Sequence, residues 1–126
     1  MLSDNPVFPV LPAADLARAK AFYTQTLGLS VLFESDAGVG FTAGSGAMLF
    51  IYPYGQTKAE HTTAGFMVAD VESVVAELRA KGLKFEEYDL PGLKTVNGIA
   101  EAGGVKGAWF KDTEGNTLSI AQMPAS

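Results

Sequence analysis

The chain contains no cysteine among its 126 residues. Disulfides, thiolate nucleophiles and cysteine-rich zinc sites are therefore excluded together. Histidine is almost as scarce, since His61 is the only one. A single imidazole is too few for the usual histidine-rich metal site. His61 reads as a solvated loop residue at the entrance to a strand, with ligand contact or proton shuttling as the alternative. No apolar run approaches the ~18 residues of a membrane span. The opening MLSDNPVFPV lacks a basic region followed by an apolar core, so no secretory leader is expected and a cytoplasmic location is the default. Cations are few as well: nine Lys and Arg stand against fourteen Asp and Glu, for a net charge of -5, and the nine are scattered. Nucleic acid needs a clustered basic surface, so it is not an expected partner. The glycines form no GxGxxG ahead of a helix and no Walker pattern, and no GxSxG occurs. Dinucleotide binding and serine hydrolysis lose their usual signatures.

What is present is a core-forming composition. The chain is 48% hydrophobic and 18% charged, which fits one compact domain over residues 1–126. Within it two halves repeat, about 6–55 and about 61–123. FPVLPAADLARAKAFYTQTLGLSVLFES begins at Phe8, and TAGFMVADVESVVAELRAKGLKFEEYD begins at Thr63. Phe8 to Leu11 and Ala64 to Val68 have strand character. Asp15 and Asp70 then stand where a carboxylate caps a helix. Leu16, Ala19, Tyr23 and Leu27 recur at helical spacing, as do Val71, Val74, Val75 and Leu78. Gly28 and Gly82 close the helices. Leu29 to Glu34 and Leu83 to Tyr88 resume as strands. Each half ends in a further strand pair, whose last members are AMLFIY and NTLSIA, introduced by Gly46 and Gly115. Gly38, Gly40, Gly44 and Gly46 read as turns. The fold class is thus α+β, built from two βαβββ modules.

The halves differ in one respect. Gly82 to Phe110 is fifteen residues longer than Gly28 to Phe41. Inserts of that length in a compact domain are usually functional, so residues 86–107 are expected to fold over a ligand.

PVLPAADLARAKAFYTQTLGL and WFKDTEGNTLSIAQ are similar to the first strand–helix and the last hairpin of the vicinal oxygen chelate superfamily. This is the glyoxalase/bleomycin-resistance/dioxygenase group. The resemblance covers about residues 6–123 and implies a curved, mostly antiparallel, U-shaped sheet with helices on its outer face. It also implies where a metal would be held: seven residues before each helix-opening Asp, and one residue past the Leu of each last strand. Those positions are Phe8 and Phe50 in the first module, and Thr63 and Ser119 in the second. None is an imidazole or carboxylate, so neither a metal nor another cofactor is expected. The last strand builds a wall there.

The resemblance then implies a metal-independent small-molecule-binding protein that sequesters a drug or metabolite, cationic or aromatic, as a homodimer. Candidate ligand contacts are Phe8, Phe50, Tyr52, Thr63, Glu87, Glu101, Trp109 and Ser119. The aromatic ones suit an apolar pocket, and the carboxylates suit a basic ligand. Alternation puts Trp109 and Phe110 on opposite faces of their strand, and either one can be the ring that faces a pocket. Two alternatives stand beside this. One is a glyoxalase-related lyase or isomerase using acid–base groups such as Glu87, Glu101 or His61. The other is a structural or regulatory dimer whose cavity is filled by Phe8 and Phe50.

Overall fold

A computed structural model describes residues 1–124, which divide into two compact units, Met1–Thr57 and the part from Lys58 onward. Both units start from the same local device. Asp15 has extended backbone, and its Oδ1 accepts a hydrogen bond from the Arg18 amide at 3.0 Å, which starts helix α1, Leu16–Ala21. Asp70 does the same for the Ser73 amide at 3.3 Å and starts helix α2, Val71–Ala80. A helix leaves its first amides without intrahelical partners, and each cap stabilises the start by about 1 kcal/mol. Gly28 and Gly82 follow the helices with φ of 79° and 91°, a left-handed geometry that a side chain resists.

In the first unit α1 runs directly into a single π turn, Phe22–Thr26. The wider turn carries Tyr23 into the core, where its ring stacks on Phe41 at 5.6 Å. Four strands form the sheet: β1, Val10–Ala13; β2, Ser30–Ser35; β3, Gly38–Ala43; and β4, Ala47–Pro53. Their order is β1-β4-β3-β2, parallel between β1 and β4 and antiparallel elsewhere. Leu11, Ala13, Val39, Phe41, Leu49 and Ile51 are buried with Ala19 of α1.

Two expectations are corrected here. The first strand begins at Val10, leaving Phe8 outside it. Pro9 has no N–H to offer a ladder, and only its carbonyl takes part, accepting from the Phe50 amide at 3.0 Å. Gly38 and Gly40, read as turn residues, lie inside β3.

The second unit contains β5, Thr62–Met67; β6, Asp89–Leu90; β7, Leu93–Lys94; β8, Ile99–Ala102; β9, Val105–Lys111; and β10, Thr117–Gln122. Four of these form a sheet in the order β5-β10-β9-β8, parallel only between β5 and β10, while β6 and β7 make a separate hairpin. Val71, Val75 and Leu78 of α2 are buried with Ala108, Phe110, Leu118 and Ile120. The β9–β10 turn is closed by Asp112. Its Oδ1 accepts from the amides of Glu114 and Asn116, and its Oδ2 from the Asn116 side-chain amide, all at 2.8 Å.

The long insert changes the expected plan. Leu83 to Tyr88 is not a full strand: it touches the sheet through one bridge, Phe85 to Phe110, and through the Glu86 amide on the Trp109 carbonyl. The remainder of that sheet edge is taken by β8, which comes from the insert. Residues 86–107 are thus partly built into the sheet. No helix among the described residues is long and apolar enough to cross a membrane.

Candidate functional site

In each unit the helix covers one face of the sheet, and alternation sends every second side chain to the other. On the helix-free face of the first unit, Phe50 is opposite Val10 and Gly40, Tyr52 is opposite Pro12, and Phe33 is opposite Gly40. Phe33 and Phe50 stack with centroids 5.8 Å apart and planes 24° from parallel. The glycines permit this. A Cβ on Gly40 would stand 2.7 Å from Phe33 Cζ, and one on Gly38 equally close to Phe50 Cζ, so both rings rest on bare backbone. Phe33 remains 44% exposed, so its ring is available from solvent.

On the corresponding face of the second unit, Ser119 pairs with Trp109 on β9 and Gly65 on β5. Phe110 goes to the opposite, helix-covered side, where it is buried edge-on to Phe85. The Trp109 indole meets the Tyr88 ring at 82° and 5.5 Å. Burial, with a smaller effect from the Glu86 charge, raises the Tyr88 phenol pKa and so keeps it neutral. Trp109, Ser119, Gly107 and Ala121, with Leu93 and Ala100 from the insert, border a hollow of about 190 Å³.

The remaining candidates are placed elsewhere. Phe8 precedes β1 and is 44% exposed. Thr63 Oγ1 donates to the Thr117 carbonyl at 3.0 Å, so the hydroxyl is committed to the β5–β10 junction. The exposed Glu87 carboxylate accepts from Thr95 Oγ1 at 2.6 Å and the Gly98 amide at 2.8 Å. Those bonds, the Thr95 one first, and the Arg79 charge lower its pKa from the ordinary carboxylate value. Glu101 is opposite Lys106, whose Nζ reaches Glu72 of α2 at 2.7 Å. Both therefore belong to the helix side of the sheet, beside a polar cleft of about 490 Å³ that also includes Lys94. The Glu72 hydrogen bond and charge, assisted by Glu101, raise the Lys106 pKa. The structure thus puts Trp109 with Ser119 on one face of the second sheet and Phe50 with Tyr52 on one face of the first, and within the second unit it puts Glu101 on the opposite face from Trp109 and Ser119. His61 is exposed and lies just before β5.

The helix–strand pattern, the stacked faces and the last hairpin now identify the kinship. A family model for the Glyoxalase/Bleomycin resistance protein/Dioxygenase superfamily matches residues 7–120. The chain belongs to this superfamily.

Among solved structures, this superfamily member is similar to the bleomycin resistance determinant encoded on transposon Tn5, with 19% identity over 96% of this chain and 99% of that one, at a TM-score of 0.74. It is also similar to lactoylglutathione lyase from Agrobacterium tumefaciens, with 20% identity over 93% and 92% of the two chains and a TM-score of 0.68. A third is TnmS3, an antibiotic binding protein from Streptomyces sp. CB03234, with 20% identity over 94% and 93% and a TM-score of 0.66. Identities this low establish a shared fold. No curated protein matches the chain by sequence.

The metal implied by the superfamily resemblance does not fit the donor set here. The first module offers two phenyl rings, one of them stacked on Phe33, and the second offers two neutral hydroxyls, one bound to a carbonyl. Among the described residues, no three His, Asp or Glu side chains gather into a group that could hold an ion. Four further residues matter that the sequence reading did not single out for the site: Gly38, Gly40, Gly65 and Gly107. Their signal was present in GVGF, AGF and KGAW, where a glycine interrupts an apolar strand at a period-two position.

Proposed function

We propose that this superfamily member binds a small, planar organic molecule without a metal ion and holds it by ring stacking. The observation that carries this reading is the Phe33–Phe50 pair, seated on Gly38 and Gly40 with Phe33 open to solvent. Offset aromatic stacking contributes about 0.5–1.5 kcal/mol per pair beyond burial. A cationic substituent on the ligand adds attraction to the ring faces, and the chain's net charge of -5 favours it further. Two structural neighbours are a bleomycin resistance determinant and an antibiotic binding protein, which supports a drug-like or metabolite ligand.

Catalysis of the lyase type fits less well. Glu87 is engaged in holding a turn and Glu101 faces the helix side of its own sheet, so neither is a base on the face that carries Trp109 and Ser119. A homodimer is part of the proposal. Edge strand β2 exposes Val31 and Leu32, an apolar edge that a second copy would cover.

Thermal unfolding with bleomycin and with anthraquinone-2-sulfonate tests the reading. A ligand present at about a hundredfold over its Kd stabilises the folded state by ~2.7 kcal/mol, enough to raise the midpoint measurably. The expected result is a rise with at least one of them in EDTA, reduced in Phe50→Ala. No rise with either compound would reject the proposal.

A further inference from the structure

The second unit contains a hollow to which its long insert contributes. The hollow, of about 190 Å³, is bordered partly by Leu93 and Ala100, both from the insert that lengthens this half alone. We infer that this hollow is a subsite for one aromatic ring carrying a single hydrogen-bonding group, a phenol being the simplest case. The inference deepens the binding reading above and rests on it.

Size is the first reason. Apolar cavities of about 150 Å³ take up benzene, whereas pockets for whole drug-sized ligands span roughly 300–1,000 Å³. The hollow therefore has room for one substituted ring.

Wall chemistry is the second. Leu93, Ala100 and Ala121 present only carbon from their side chains, and Gly107 presents bare backbone. The exceptions are the Ser119 hydroxyl and the Trp109 indole N–H, and neither makes a hydrogen bond among the described residues. A ring whose hydroxyl reaches Ser119 Oγ gains a hydrogen bond that a plain ring does not.

Preorganisation is the third. The indole is held edge-on by Tyr88, and a methyl at Gly107 would come within 3.4 Å of Trp109 Cη2, so the ring lies against bare strand. Ser119 Oγ has similar support, because a Cβ on Gly65 would stand 2.7 Å from it. Gly65 on neighbouring strand β5 leaves room for the Ser119 hydroxyl, and Gly107, two residues before Trp109 on β9, leaves room for the indole.

Calorimetric titration with p-cresol and toluene provides the test, using the full chain. Wild type is expected to bind p-cresol more tightly than toluene. Ala100→Leu, which extends a side chain into the hollow, is expected to weaken p-cresol binding by about tenfold or more. Ser119→Ala should lower p-cresol affinity and leave toluene unchanged. If Ala100→Leu fails to fold, Ala121→Val narrows the same hollow from β10 and must give the same loss. Binding of p-cresol that is undiminished in the folded filling variant overturns the subsite. If bleomycin or anthraquinone-2-sulfonate binds wild type and p-cresol does not, the subsite falls and the general binding reading survives. If no compound binds, both fall.

Discussion

The Phe50 ring lies across Gly38, so that a Cβ there would stand 2.7 Å from Phe50 Cζ and collide with the Ile51 carbonyl oxygen. Gly38 also has φ of 147°, a backbone state that disfavours a side chain. Gly38→Ala is therefore expected to cost about 3 kcal/mol. Gly40→Ala should cost less, about 1–2 kcal/mol, because the contacts in the way belong to the Phe33 ring, which can swing aside. Urea denaturation of the two variants checks the order. Equal stabilities would mean that the rings are not seated as described.

Glu87 makes stability depend on acid. Its carboxylate holds Thr95 and the Gly98 amide, and Arg79 binds the carbonyl of Asn97, whose φ is 54°. The folded pKa is lowered relative to the unfolded carboxylate value. The ionised form thus favours the folded state. Its contribution is complete above the unfolded pKa and is lost as pH falls through the folded one. Glu87→Gln should be less stable than wild type at neutral pH, and the gap should close in strong acid. A gap of constant size from neutral to strongly acidic pH would show that the charge is not what pins the turn.

Asp112 supports the β9–β10 hairpin from within. Replacing it by alanine removes the acceptor for two backbone amides and one side-chain amide in a buried turn. Asp112→Ala is expected to destabilise by about 3 kcal/mol, with Asp112→Asn retaining part of it. Hydrogen exchange at Glu114 and Asn116 should accelerate in step. Unchanged exchange at those amides would contradict the assignment.

The repeat was legible because its markers are local. An aspartate before an amphipathic run and a glycine after it are chemically required at helix ends, and both helices appear where those residues stand. The α+β class and the duplicated strand pairs followed from the same signals. Other features depended on packing that no short window contains. Phe8 looked like strand until Pro9 removed the ladder donor. Gly38 and Gly40 looked like turns because the rings that need their bare backbone, on Phe50 and Phe33, come from neighbouring strands. The insert looked like a lid, yet its residues 99–102 supply a strand that completes the sheet edge. At the candidate site, alternation put Trp109 and Phe110 on opposite faces, and only the register against Ser119 decided which ring is uncovered.

Calorimetric titration of the protein with anthraquinone-2-sulfonate, run in EDTA and again with added nickel, zinc or manganese, bears most directly on metal-free stacking as the mode of binding. The account predicts one Kd under all four conditions, weakened by Phe50→Ala, with no turnover of the methylglyoxal–glutathione hemithioacetal. Binding or turnover that appears only when a divalent ion is added would contradict it.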